Sequence, residues 1–389
     1  MRQIALLQAQ ESEGRPKLIR GDVHVQTRGE AWSAPWNETG KIGTILGRRI
    51  DARTANRSAS RNRRPLASKR TVSVRSGDDV EILLSTYNGA AYLPAFLESL
   101  EAQDCDAWRL TARDDGSRDA TLSILKTWCN RFPDRARVLD GERAPNLGLI
   151  RSFSRLIEES SASYVMFADQ DDIWLPSKVR ITLEKMRAKQ DELGKQSPIL
   201  LHTDLKLVDK DLQIINSSLW KSQGVRPSAP SFPKILVENV AWGCTTMINR
   251  QLVSLVGSIP KEAVYHDWWV TLTAAAFGHV VAISAPTILY RRHGLNESAI
   301  SNLASVFKAA LRDPIAARQR LTEVLAGSRP RVVAFLHRHR TRLTPSQIAA
   351  ADAFLSLGDA NFVSRRVHIA RHGLLFSSSL RNIGLFVLL

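Results

Sequence analysis

Short apolar runs alternate with stretches of helical periodicity from residue 80 onward. Val80-Glu81-Ile82-Leu83-Leu84 has strand length and ends in the turn-forming Ser85-Thr86-Tyr87-Asn88-Gly89. Residues 91–103 then place Leu93, Phe96, Leu97 and Leu100 three and four apart, which predicts a helix. A second strand at 108–112 runs into Asp114-Asp115-Gly116-Ser117, followed by a helix at 121–130 and a strand at 137–140. The alternation continues with a helix at 148–160, a strand at 163–168, a helix at 178–193 and a strand at 199–201. Residues 205–265 are less regular, with a strand expected near 243–249; a helix at 268–277 and a strand at 280–284 follow. Strands separated by helices of this length predict βαβ units and a mainly parallel sheet. Each polar cluster falls just after a strand, where open α/β sheets bind ligands.

The flanks follow other rules. Residues 1–76 lack periodicity and are rich in Arg, Ser, Gly and Asn, so they cannot bury enough apolar surface to offset chain entropy. They read as a disordered arm, either a regulatory or membrane-touching segment or the product of an upstream start codon. Residues 301–389 read as a basic helical extension that either lies on a lipid surface or packs as a helical lobe. Three segments result: 1–76, 77–300 and 301–389.

Charge sharpens this division. The net charge of +16 comes from the ends, with 16 basic against 6 acidic residues in 1–77 and 13 against 4 in 301–389, leaving 25 against 28 between. Basic ends suit an anionic membrane surface. A nucleic-acid partner is not expected, because no recognition motif or interleaved aromatics accompany the charge. Ile4-Ala5-Leu6-Leu7 is too short for a secretory apolar core, and the apolar run 270–290 is broken by Gly278, His279, Ser284 and Pro286. The expected location is cytoplasmic, peripheral to the membrane's inner face. Three cysteines without metal-type spacing read as reduced thiols.

Asp169-Gln170-Asp171-Asp172 sets three carboxylates within four residues at the end of an apolar strand. Such crowding is costly unless a hard divalent cation, Mg²⁺ or Mn²⁺, compensates it; Mg²⁺ is typically shared between one or two carboxylates and substrate phosphates. Asp115-Gly116-Ser117 can be a simple turn with a helix cap, and Asp267 a helix N-cap.

Taken in order, Ser85-Thr86-Tyr87-Asn88-Gly89, Asp114-Asp115-Gly116-Ser117, Asn146-Leu147-Gly148, Asp169-Gln170-Asp171-Asp172-Ile173-Trp174, Gly243-Cys244, His266-Asp267-Trp268-Trp269 and Tyr290-Arg291-Arg292-His293-Gly294 resemble the family-two glycosyltransferases of the GT-A fold, most of all their rhamnosyltransferase-like branch. The resemblance covers about 78–300. It implies a Rossmann-like, mainly parallel mixed sheet with helices on both faces. It also implies an inverting hexosyltransferase that moves a sugar, first of all rhamnose, in cell-surface polysaccharide biosynthesis.

The resemblance assigns roles residue by residue. Thr86, Tyr87 and Asp114 or Asp115 would hold the nucleotide base, a carboxylate accepting the N3–H of uracil or thymine; the choice between the two aspartates stays open. Asp169 and Asp171 match the DXD motif, Asp171 as metal ligand and Asp169 toward ribose or metal, with His293 beside the metal and Arg292 on the diphosphate. Asp172 is expected to cap the following turn. Asp267 would be the catalytic base, Trp268 and Trp269 the acceptor's stacking faces, one of them given over to core packing. Gly243 would allow close backbone approach to donor or acceptor. His202-Thr203-Asp204 receives no role. The implied partners are dTDP-rhamnose or a UDP-sugar and a saccharide or lipid-linked acceptor. Two competitors are a nucleotidyltransferase, which lacks the basic phosphate loop it needs after the first strand, and a nucleic-acid-binding protein using its basic arms.

Overall fold

The structure, a computed structural model, describes residues 79–388 apart from 142–144, 226–229 and 294–311. The expectations for the arm 1–76, for Gly294 and for 301–311 lie outside the described residues.

The chain begins β1 (Val80–Thr86), α1 (Leu93–Glu101), β2 (Trp108–Asp114), α2 (Thr121–Arg131), β3 (Ala136–Leu139), α3 (Leu149–Glu159) and β4 (Tyr164–Asp169). It continues β5 (Ile173–Trp174), α4 (Lys178–Leu193), β6 (Ile199–Val208), β7 (Ile214–Asn216), α5 (Leu219–Gln223) and α6 (Phe232–Val237). Then come β8 (Thr246–Asn249), α7 (Arg250–Val256), α8 (His266–Phe277), β9 (His279–Arg291), α9 (Pro314–His339), α10 (Pro345–Ser356), α11 (Phe362–His372) and α12 (Ser379–Leu388).

One sheet runs β3-β2-β1-β4-β8-β6-β9-β5, with β7 on β6. The strands β3, β2, β1 and β4 are parallel, as are β6 and β9; β8 joins the two groups antiparallel. The alternation predicts the α/β class and the parallel group; the antiparallel pairings make the sheet mixed, as the resemblance implies. Both faces are covered, which is why its strands read as near-continuous apolar runs. Period-two alternation still sorts them: Val80, Ile82 and Leu84 face one core with Met166, while Leu83 faces the other with Val165 and Phe167.

Two strands are longer than their apolar runs. β6 continues through His202-Thr203-Asp204, where two of the three polar side chains are satisfied inside: the Thr203 and Thr287 hydroxyls pair at 2.7 Å, and Asp204 accepts from the Leu205 and Trp220 N–H groups and the Ser218 hydroxyl, while the His202 ring packs on Trp220. β9 crosses Pro286 where its register with β6 shifts, a place that tolerates a missing N–H.

The described part of 301–389 packs onto the same molecule. Val332, Phe335, Leu336, Phe354, Ile369 and Leu385 extend the core that contains Phe153, Phe167 and Trp269. Among the described residues, no helix is long and apolar enough to cross a membrane.

Candidate active site

Parallel register brings the motif residues to one edge. Thr86 stands opposite Asp114, and Ser85 opposite Asp169, at the carboxyl ends of β1, β2 and β4. A cleft of about 920 Å³ opens there, lined among others by Thr86, Tyr87, Asp115, Asp169, Asp171, Gly243, Asp267, Trp268 and His293. Residues more than two hundred positions apart in the sequence thus share one cavity. Asp114, Trp269 and Arg292 are not part of its lining.

The two aspartates after β2 are separated by what they bond. Asp114 is buried and accepts from the Thr86 hydroxyl (2.9 Å) and from the Ser117 N–H and hydroxyl (2.9 and 2.6 Å). It therefore ties β1 to the turn. Asp115 faces the cleft while its oxygens accept from the Leu147 and Gly148 N–H groups at 2.7 and 2.8 Å and from buried Arg113. Arg113 also donates to Asp140 (2.8 Å) and the Pro145 carbonyl (2.7 Å), so this cluster sets the shape of the Asn146-Leu147-Gly148 wall.

The turn after β4 is held by its middle residue. The Gln170 amide accepts from the Tyr87 N–H at 3.0 Å and donates to the Tyr87 carbonyl at 2.9 Å. This pins the turn that carries Asp169 and Asp171 to the end of β1. Asp171 lies 2.8 Å from His293 Nε2, and the His293 ring stacks on Tyr92 at 4.5 Å. Arg291 donates to the Asp171 carbonyl at 3.1 Å and lies over Tyr92, whereas Arg292 is exposed.

Negative charge is concentrated here. Burial, then the Asp171 and Asp267 charges, push the Asp169 carboxyl up to about 7. Asp172 does not cap the next turn. It is 1% exposed, and neither of its oxygens has a hydrogen-bond partner of good geometry. Buried Lys178 interacts with it, brought down to about 8 by burial against the pull of Cys244 and Asp172. Asp169, Asp172 and Cys244 offer ligand atoms within 4.8 Å of one another. Burial and the two carboxylates hold the Cys244 thiol protonated, so it is no nucleophile. Oxygen donors in excess of local positive charge fit a hard divalent cation; Asp169 belongs to the close-set group, and the Asp171–His293 pair stands outside it.

The remaining wall is built by α8. Asp267 accepts from the Gly243 N–H at 2.9 Å, and its other oxygen has no hydrogen-bond partner. Burial lifts its carboxyl to about 6, opposed by the Gly243 and Trp268 N–H groups and by Arg331. A Cβ on Gly243 would come within 2.6 Å of the His266 ring, so the close approach this glycine permits is to His266 and Asp267. Trp268 lines the cleft and donates to the Ile235 carbonyl at 2.6 Å. Trp269 is fully buried against Phe335 in the core.

Sequence reasoning missed Gln170, Arg331 and the Arg381–Glu238 ion pair at the cleft's far end. Only Arg331 left a trace: it sits beside the apolar positions Leu325, Val332 and Phe335 of a helix.

The part of the chain that carries β1 to β4 is similar to glycosyltransferases. Residues 81–200 match the family described as Glycosyl transferase family 2. Among curated relatives, an uncharacterized glycosyltransferase of Nostoc sp. is 24% identical, covering 56% of this chain and 66% of that protein. The UDP-Glc:alpha-D-GlcNAc-diphosphoundecaprenol beta-1,3-glucosyltransferase WfgD of Escherichia coli is 25% identical, over 57% of this chain and 79% of its own length. The dTDP-rhamnosyl transferase RfbG of Shigella flexneri is 25% identical, over 55% and 73%. The chain thus spans just under two thirds of the first of these proteins.

Proposed function

We propose that this chain is an inverting, metal-dependent glycosyltransferase that moves a sugar from a pyrimidine nucleoside diphosphate to a saccharide or lipid-linked acceptor in cell-surface polysaccharide assembly. The observation that carries the reading is the shared cleft: the Asp169/Asp171/His293 donor set and the half-free Asp267 carboxylate line one cavity. Rhamnose from dTDP-rhamnose is the first candidate donor, consistent with the likeness to RfbG, and UDP-sugars are the second.

In this reading the nucleotide base lies by Thr86, Tyr87 and Asp115, with Asp114 bracing them from behind. Asp169, Asp171 and His293 would hold Mg²⁺ or Mn²⁺, which would neutralise charge on the departing diphosphate. Asp267 accepts the proton of the acceptor hydroxyl through its unpaired oxygen as that hydroxyl attacks the anomeric carbon. The Gly243 N–H fixes its other oxygen, so the base has one orientation. Trp268 offers the acceptor an aromatic face. The basic C-terminal helices would rest on an anionic membrane surface.

Asp267→Asn tests the core of this. With dTDP- and UDP-sugars and Mn²⁺, transfer should fall by about a thousandfold, within the range of a lost general base, while donor binding by calorimetry persists. Retained turnover would remove Asp267 from the chemistry.

A further inference from the structure

Arg331 lies on α9, 131 positions beyond the end of the matched segment 81–200, and its side chain is fully buried. Its guanidinium lies 3.4 Å from the centre of the Trp268 ring. One nitrogen donates to the Leu236 carbonyl at 3.3 Å, while Nε and the other terminal nitrogen have no hydrogen-bond partner. A buried guanidinium with only one such bond is expensive unless a nearby anion repays it. Asp267, adjacent to Trp268 in the chain, is that anion.

We propose that Arg331 is a positioning residue of the catalytic centre, clamping Trp268 against the cleft wall and supplying the counter-charge for the Asp267 carboxylate. The inference rests on the reading of Asp267 as the base.

The other groups around Asp267 do not replace it. Asp169, at the end of β4, is a like charge facing Asp267. His266, on the same helix, is held neutral by burial, down to about 3. The Cys244 thiol stays protonated, and Arg381 across the cleft is paired with Glu238. The planar guanidinium also suits the clamping of Trp268, because it stacks on an indole face as an ammonium cannot.

The test compares the full-length wild type with Arg331→Met and Arg331→Lys, measuring kcat/KM against pH and acceptor KM. Arg331→Met should move the acidic limb upward by about one pH unit, with rate recovering at higher pH, as expected for loss of one nearby opposite charge. Arg331→Lys should leave the limb in place and raise acceptor KM several-fold by freeing Trp268. An unmoved limb in a folded Arg331→Met enzyme would overturn the proposal. Should that variant not fold by circular dichroism, Arg331→Lys decides alone: a wild-type acceptor KM, or a limb displaced upward, refutes it. If the wild type transfers no sugar from any donor, the parent reading fails instead, before either variant is compared.

Discussion

Asp267 must be charged to accept a proton, yet it sits where charge is penalised. Burial raises its carboxyl to about 6, so it is mostly ionised at neutral pH and still basic enough to be useful. The sign follows directly: a base is lost as pH falls through its pKa. The acidic limb of kcat/KM should therefore lie near pH 6 and drop about tenfold per unit below it. A limb near pH 4 in rate measurements would mean that Asp267 is better solvated than the cleft implies. At this scale the acidic residue types were legible in the sequence, whereas their roles were not. Asp114 and Asp115 are chemically identical neighbours, and only their different partners, Thr86 and Ser117 against Arg113 and Leu147, set one behind the site and the other facing it.

Elements convert these side chains into a site through short turns with little slack. The 3-10 turn before β8 carries Gly243, whose N–H holds Asp267 and whose missing Cβ makes room for buried His266. His266 is stacked on Phe153 at 3.9 Å and cannot easily yield. Gly243→Ala should therefore displace the start of α8 and lower kcat about a hundredfold, with a near-native circular dichroism spectrum. Unchanged kcat would show that α8 tolerates the shift. The strand–helix alternation of 80–193 was readable because period-two and period-3.6 apolar patterns differ. The full lengths of β6 and β9 were not, because buried Thr203, Asp204 and Thr287 are satisfied by partners that sequence does not reveal.

Over the whole molecule, charge is divided between a near-neutral middle and basic ends. α11 and α12 expose Phe362, Val363, Val367, Ile383 and Val387, with exposed Arg371 nearby. Apolar side chains beside basic ones suit a lipid interface. The full chain should co-sediment with vesicles containing phosphatidylglycerol and be released by salt. The triple change Phe362→Ser, Val363→Ser, Val367→Ser should weaken binding several-fold without altering transfer to a soluble acceptor. Equal binding by both proteins would assign the basic surface another task.

The order of strands, helices and acidic turns belongs to the sequence alone, since local periodicity and turn chemistry dictate it. So does the placing of polar clusters at strand ends. What the tertiary structure decided was which groups meet. Parallel register set Asp169 beside Ser85, the Gly243 N–H before β8 anchored Asp267 at the same cleft, the return of β9 set His293 beside Asp171, and α9 carried Arg331 under Trp268. Such pairings join segments up to 122 residues apart, as for Asp171 and His293, and depend on how the sheet is ordered and covered, which local pattern does not encode.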